Sequence, residues 1–167
     1  LYNMELSQQA ATDPLTTLYN RRKMTEIVNN HMAANPDHPF CIAMGDIDLF
    51  KQVNDTYGHN CGEQVLKSLA VLFVEKTIGL GHVCRWGGEE FFFFLPEMNL
   101  DEASELLNEI KVAVSKLPIM YNDEAHHVTM NFGVEEYDYR SSLEELVKRA
   151  DDKLYYGKNH GRNQVVF

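Results

Sequence analysis

The chain has 167 residues, enough for one domain with a full hydrophobic core, and its 44% hydrophobic and 24% charged content is that of an ordinary soluble globular protein. A formal net charge of −10 argues against non-specific binding to nucleic acid or to an anionic membrane surface, yet leaves room for a small phosphorylated ligand held by local cations or a divalent metal. No apolar run reaches the ~18 residues of a membrane span and no signal peptide is visible; Cys41, Cys61 and Cys84 form no CxxC and cannot all pair, which suits reduced cytoplasmic thiols.

The chain begins at Leu1, so it is expected to be cut from a longer protein. Residues 1–12 are expected to form a linker or the end of an upstream signalling helix, with Leu1, Met4 and Leu6 on a short seam. "DPLT" breaks that segment, because proline disfavours helix at Asp13. A helix is expected from about Tyr19 to Ala34, its apolar stripe Leu18, Met24, Ile27, Val28 and Met32. After the loop "NPDHP", "FCIAMGDIDLF" is a buried strand ending at two aspartates, and "KQVNDTYGHNCG" is a short piece punctuated by turn residues. "EQVLKSLAVLFVEKTIG" carries Val65, Leu66, Leu69, Leu72 and Phe73 at helical spacing, with Gly79 as its stop. "HVCRW" and "EEFFFFLP" are expected to form a hairpin over a two-residue Gly87-Gly88 turn. Four consecutive phenylalanines give both faces of the second strand aromatic character, so that strand should be central and covered on both sides. A helix from about Leu100 to Pro118 follows, then a strand with Val128, Met130, Phe132 and Val134 on one face. Ser142 and Glu145 form a capping box for a helix through Leu146, Val147, Ala150 and Leu154, and "NQVVF" is a last strand.

Without the first helix, the order is strand, helix, hairpin, helix, strand, helix, strand. Its core is a ferredoxin-like, palm-type βαββαβ unit: an α+β fold with a mostly antiparallel central sheet flanked by helices, plus an extra C-terminal helix and strand.

Four constellations can carry chemistry. Asp46 and Asp48 end a strand otherwise free of charge, and oxygen ligands on a rigid strand end suit Mg²⁺; the plainer reading is that they cap the next turn. The βαββαβ order brings the hairpin's Glu89 and Glu90 towards Asp46, and carboxylates crowded together repel unless a cation relieves them. Gly87 and Gly88 then suit a backbone that a ligand approaches closely, although a solvated turn would also use them. Lys158 and Arg162 share a face if helical geometry holds between them and could grip phosphate, but helix-end decoration explains them equally well. Asn54, His59 and Glu63 could pair with a nucleobase edge, and each also has an ordinary turn or helix-start reading.

Together these stretches acquire a meaning none has alone. "DPLTTLYNRR", "DIDLFKQVNDTYGH", "RWGGEEF" and "ADDKLYYGKNHGRN" occur in the order and spacing of the GGDEF family, the diguanylate cyclases, and the resemblance covers residues 13–167. It implies a catalytic domain that joins two GTP into cyclic di-GMP with release of two pyrophosphates. It also implies Asp46, Glu89 and the Ile47 carbonyl as ligands of Mg²⁺ or Mn²⁺, and Glu89 or Glu90 as the group that deprotonates the attacking 3′-hydroxyl. Amides around Leu49 and Phe50, with Lys51, Lys158 and Arg162, would hold the phosphates. Asn54 and Glu63 would read guanine with His59 close by, while Gly87 and Gly88 admit the α-phosphate and ribose. Each subunit would hold one GTP, so a homodimer is required. An upstream sensor in the same full-length chain, a cytoplasmic location and no nucleic-acid partner complete the expectation.

Two departures stand out. Glu63 occupies the place of a guanine-reading aspartate, and Ile78 and Gly81 occupy the places of the family's inhibitory arginine and aspartate, so the product-binding inhibitory site should be absent. The alternatives are a catalytically weak GTP-binding regulatory domain and a cyclase with relaxed purine choice.

Overall fold

The computed structural model describes residues 10–167. The seam residues Leu1, Met4 and Leu6 lie outside them. The described chain forms β1 (Tyr19–Asn20), α1 (Arg21–Ala34), β2 (Phe40–Ile47), α2 (Phe50–Tyr57), α3 (His59–Thr77), β3 (His82–Arg85), β4 (Glu90–Pro96), α4 (Leu100–Lys116), β5 (Ile119–Tyr121), β6 (Glu124–His126), β7 (Met130–Glu136), α5 (Leu143–Asn159) and β8 (Val165–Val166). Six strands make one sheet in the order β1-β3-β4-β2-β7-β8, and β5-β6 is a separate hairpin. Its four inner strands, β3-β4-β2-β7, pair antiparallel and have the ferredoxin-like order expected of βαββαβ, while β1 and β8 add parallel edges.

The four phenylalanines explain the layering. Phe91 and Phe93 point into a core closed by α3 and α4; Phe92 and Phe94 point into a second core closed by α1 and α5. Each fully buried side chain of this size contributes about 2 kcal/mol by leaving water, so β4 anchors both layers. On the second face Gly133 lets α5 come close, since a Cβ there would lie 2.1 Å from the Ala150 carbonyl oxygen.

Local boundaries depart from the sequence reading in four places. The first helix starts at Arg21, because Asn20 accepts from the Lys23 amide (2.8 Å) as its N-cap, and Tyr19-Asn20 pairs with β3. The turn-rich segment after Asp48 is helix α2, only eight residues long, which rests on the first core through the half-buried Phe50 and Val53. Helix α3 begins at His59, four residues before Glu63. The hairpin loop is wider than two residues: Arg85 pairs with Phe91, and both Trp86 and Gly87 amides donate to the Glu90 carbonyl (2.8 and 3.3 Å).

Candidate active site

The site assembles where β2 ends and β4 begins. Antiparallel register sets Asp46 directly opposite Glu90, so their side chains leave the same face of the sheet, the face that α5 covers. From the last turn of α5, Lys158 donates to Asp46 Oδ2. Asp46, Glu90, Asp151, Asp152, Leu154, Tyr155 and Lys158 line one cleft of about 350 Å³. Burial is the main force raising the Asp46 carboxyl pKa; Lys158 opposes it, while Glu89 and Asp48 add repulsion. Glu90 is likewise raised by burial first, then by Asp46 and Asp151. Glu89 lies close enough to bear on both.

The second aspartate has a different task. Strand β2 stops at Ile47, and Leu49 takes a left-handed backbone (φ 57°), so alternation does not carry through to Asp48. Asp48 accepts from Thr129 Oγ1 (2.6 Å), Asn131 Nδ2 (2.6 Å) and the Asn163 amide (3.0 Å). It thereby ties the end of β2 to β7 and to the loop after α5. Its neighbour Ile47 is buried in the core, leaving only its backbone for a ligand.

Leu49, Phe50 and Lys51 open α2 at this same sheet end, with Leu49 and Lys51 exposed. One turn on, the Asn54 side-chain oxygen is buried without a hydrogen-bond partner. It occupies the space a Cβ of Gly62 would need, only 1.9 Å away. Gly62 thus makes room for a candidate site residue, a role the sequence reading misses, although a glycine inside a helix costs about 1 kcal/mol relative to alanine and so signals a packing demand. Across the first turn of α3, His59 Nε2 lies 3.1 Å from Glu63 Oε1.

Neither Gly87 nor Gly88 has a left-handed backbone, and a Cβ at Gly88 would meet nothing within 4 Å. The protein's own packing does not require them, so the open space they leave faces outward. Arg85 holds their loop: its Nε and a terminal nitrogen donate to the Gly88 carbonyl (3.0 and 2.9 Å), and it also pairs with Asp13 (3.3 Å). The sequence reading does not pick out this brace, since nothing local joins positions 72 apart.

Arg162 does not share a helical face with Lys158. Helix α5 ends at Asn159; Gly161 (φ 104°) and Arg162 (φ 59°) turn the chain away. At the far end of β3, Ile78 is 76% exposed, and a Cβ on Gly81 would lie 2.2 Å from the Phe94 carbonyl oxygen. An aspartate cannot enter that position without moving the strand.

The donor set fits a hard divalent cation. Asp46 and Glu89 offer carboxylate oxygens, and the Lys158 ammonium already sits as a positive charge on Asp46. Among the described residues no three carboxylate, imidazole or thiolate groups converge to enclose a metal. Phosphate and water would have to complete its shell, the usual habit of Mg²⁺.

The family model for "Diguanylate cyclase, GGDEF domain" matches residues 10–164. The chain belongs to the GGDEF family. Diguanylate cyclase DgcM of Escherichia coli K12 is 38% identical over 166 residues, covering 97% of this chain and 39% of DgcM, so the GGDEF domain here spans well under half of that relative. The GGDEF domain of DgcB from Caulobacter crescentus, solved in complex with c-di-GMP, superposes with a TM-score of 0.89 at 32% identity and 95% coverage of each chain. The active GGEEF domain of a Vibrio cholerae diguanylate cyclase, which carries the same pentapeptide variant in its name, gives a TM-score of 0.80 at 30% identity, covering 89% of this chain and 96% of that one.

Proposed function

We propose that this GGDEF domain condenses two GTP into cyclic di-GMP, the two substrates meeting at the interface of two copies of the chain. The observation that carries the reading is Asp46 opposite Glu90 with Lys158 between β2 and α5, all on one cleft.

In each half-reaction a ribose 3′-oxygen bonds to the α-phosphorus of the other GTP, the bond to pyrophosphate breaks, and the hydroxyl proton passes to a carboxylate. Glu90 is suited to receive that proton, since register holds it across from Asp46 inside the cleft. Asp46, Glu89 and the Ile47 carbonyl would hold Mg²⁺ or Mn²⁺, whose charge would offset that of the triphosphate. Lys158 and Lys51, with the amides of Leu49 and Phe50 at the start of α2, would bind phosphate oxygens, and Arg162 would reach them from the loop after α5. Asn54 and Glu63 would read the guanine edge, Asn54 occupying the space that Gly62 leaves free. Gly87 and Gly88 would leave room for ribose and α-phosphate.

Glu63 favours a second reading, weaker discrimination of guanine from adenine. It stands one methylene longer than the family's usual aspartate, and His59 competes for its carboxylate at 3.1 Å. Upstream signalling through a sensor in the full-length chain and a cytoplasmic GTP supply belong to the same proposal.

The test is product analysis by chromatography after incubation with GTP, ATP or both, each with Mg²⁺ and with Mn²⁺, across a wide enzyme dilution series. Cyclic di-GMP from GTP, with specific activity that rises with enzyme concentration, is the expected result. Nucleotide binding without product at any concentration would leave a regulatory domain instead.

A further inference from the structure

The loop after α5 is held in a shape its own residues would seldom choose. Gly161, Arg162 and Asn163 are three consecutive residues with left-handed backbone (φ 104°, 59° and 46°). Glycine enters that region freely and asparagine more readily than most residues, but an arginine has to be kept there by its surroundings. Hydrogen bonds from three directions keep it. The Arg162 amide donates to the Gly157 carbonyl (3.0 Å) in the last turn of α5. The Asn163 amide donates to Asp48 Oδ2 (3.0 Å), and the Gln164 amide to Asn131 Oδ1 (3.3 Å). Asn131 Nδ2 in turn donates to Asp48 Oδ1 (2.6 Å), so a residue just past β2 and one at the start of β7 close into a single clasp. Asp48 and Asn131 are both buried, whereas Arg162, whose side chain takes no part in the clasp, is exposed.

We propose that Asp48 and Asn131 are positioning residues for Arg162, their clasp fixing the loop so that its guanidinium stands ready beside Lys158 for the phosphates of a nucleoside triphosphate. This rests on the phosphate-binding role given above to Lys158 and Arg162. The anchor points join the two cations. Gly157, which takes the Arg162 amide, immediately precedes Lys158, so the loop folds back onto the turn that carries Lys158 even though the two side chains share no helical face. Asp48 immediately precedes Leu49 and Phe50, where α2 begins. One carboxylate thereby links both banks of the phosphate site, the loop after α5 and the start of α2. A backbone fixed before the ligand arrives leaves less ordering to be done on binding, which is where such a clasp gains affinity.

Calorimetric binding of a non-hydrolysable GTP analogue and of GMP to the 167-residue chain, with hydrogen exchange at the residue 163 amide followed by NMR, tests the proposal. Arg162→Met should weaken the GTP analogue about tenfold or more and GMP far less, since the lost contact is charge-assisted and made to the outer phosphates. Asp48→Asn should weaken the analogue by a similar factor and speed exchange of the Asn163 amide. Combining both substitutions should cost little more than either alone, because one acts through the other. Asn163→Val, which resists left-handed backbone, should also weaken the analogue, while Asn163→Gly, which accepts it, should bind as wild type does. Circular dichroism melts establish that each variant is folded; if Asp48→Asn does not fold, the two Asn163 variants decide. Analogue binding unchanged in Arg162→Met, or an equal loss for GMP, would remove the phosphate role and this inference with it. A loss in Arg162→Met with none in Asp48→Asn, losses that multiply in the double variant, or Asn163→Gly as weak as Asn163→Val would leave the phosphate role standing and overturn the clasp as what positions Arg162.

Discussion

Two aspartates two residues apart, both buried, illustrate how hydrogen-bond partners divide labour between identical side chains. Asp46 opens onto the cleft and meets one lysine; Asp48 is saturated by a hydroxyl, an amide side chain and a backbone N–H. Asp46→Ala is therefore expected to reduce cyclic dinucleotide formation by a factor of about a thousand or more, the several kcal/mol at stake in a catalytic cation contact, with urea unfolding little changed. Asp48→Ala should do the reverse first: leaving three donors unpaired in a buried site costs about 3 kcal/mol, visible as a lower urea midpoint. Wild-type stability in a folded Asp48→Ala variant would refute the tie between β2 and β7. Gly62→Ala gives a third residue-scale outcome. A methyl 1.9 Å from Asn54 Oδ1 must expel that side chain, so KM for GTP should rise about tenfold or more while kcat falls less, in steady-state kinetics.

At the scale of elements, the β3–β4 hairpin depends on a residue outside its tip. Arg85→Ala removes two hydrogen bonds to the Gly88 carbonyl and the pair with Asp13. The tip should then sample more conformations, lowering kcat about tenfold with a modest fall in melting temperature, and Arg85→Lys should recover little because a lysine cannot make the fork. Elements with strong apolar periodicity were legible from the residues alone: β4 with its two aromatic faces and α5 with its capping box lie where expected, and β7 keeps the expected alternation but starts at Met130, leaving Val128 just outside it. Short elements with few apolar positions were not. Helix α2 has eight residues and touches the core only through Phe50 and Val53, and the Ile119–His126 hairpin consists of two three-residue strands around Asn122 and Asp123, both left-handed. The site followed the same division. The strand-end carboxylates were readable because charge on a buried strand is conspicuous. The Arg85–Asp13 and Asn54–Gly62 contacts were not, because they arise only when distant turns meet in space.

For the whole molecule, the cleft sets function against stability. Asp151, like Asp46 and Glu90, has its carboxyl pKa raised, by burial first and by Asp152 next, against the pull of Arg21 and Lys158. A carboxyl that holds its proton more tightly when folded makes folding less favourable as pH rises from its unfolded pKa of about 4 through the folded value, and the penalty persists above it. Asp151→Asn removes that penalty. Its melting temperature should exceed wild type at about pH 8 and converge with it below about pH 3.5, where both states are protonated. A higher melting temperature that persists undiminished in acid would point to packing instead of charge.

Lys158 on Asp46 means that the resting cleft already carries its own counter-ion. A divalent ion arriving alone must compete with an ammonium tethered at the end of a helix, and should bind weakly. On the proposed function, nucleotide would change that contest, its phosphates drawing the ammonium towards themselves and freeing Asp46 for the cation. Metal and nucleotide should therefore help each other in. Calorimetric titration of Mn²⁺ should show much tighter binding in the presence of a non-hydrolysable GTP analogue than in its absence, and Lys158→Met should erase most of that difference by strengthening the metal-only state. On that reading the helix end would act as a safeguard, keeping the carboxylate from capturing metal when there is no substrate to use it.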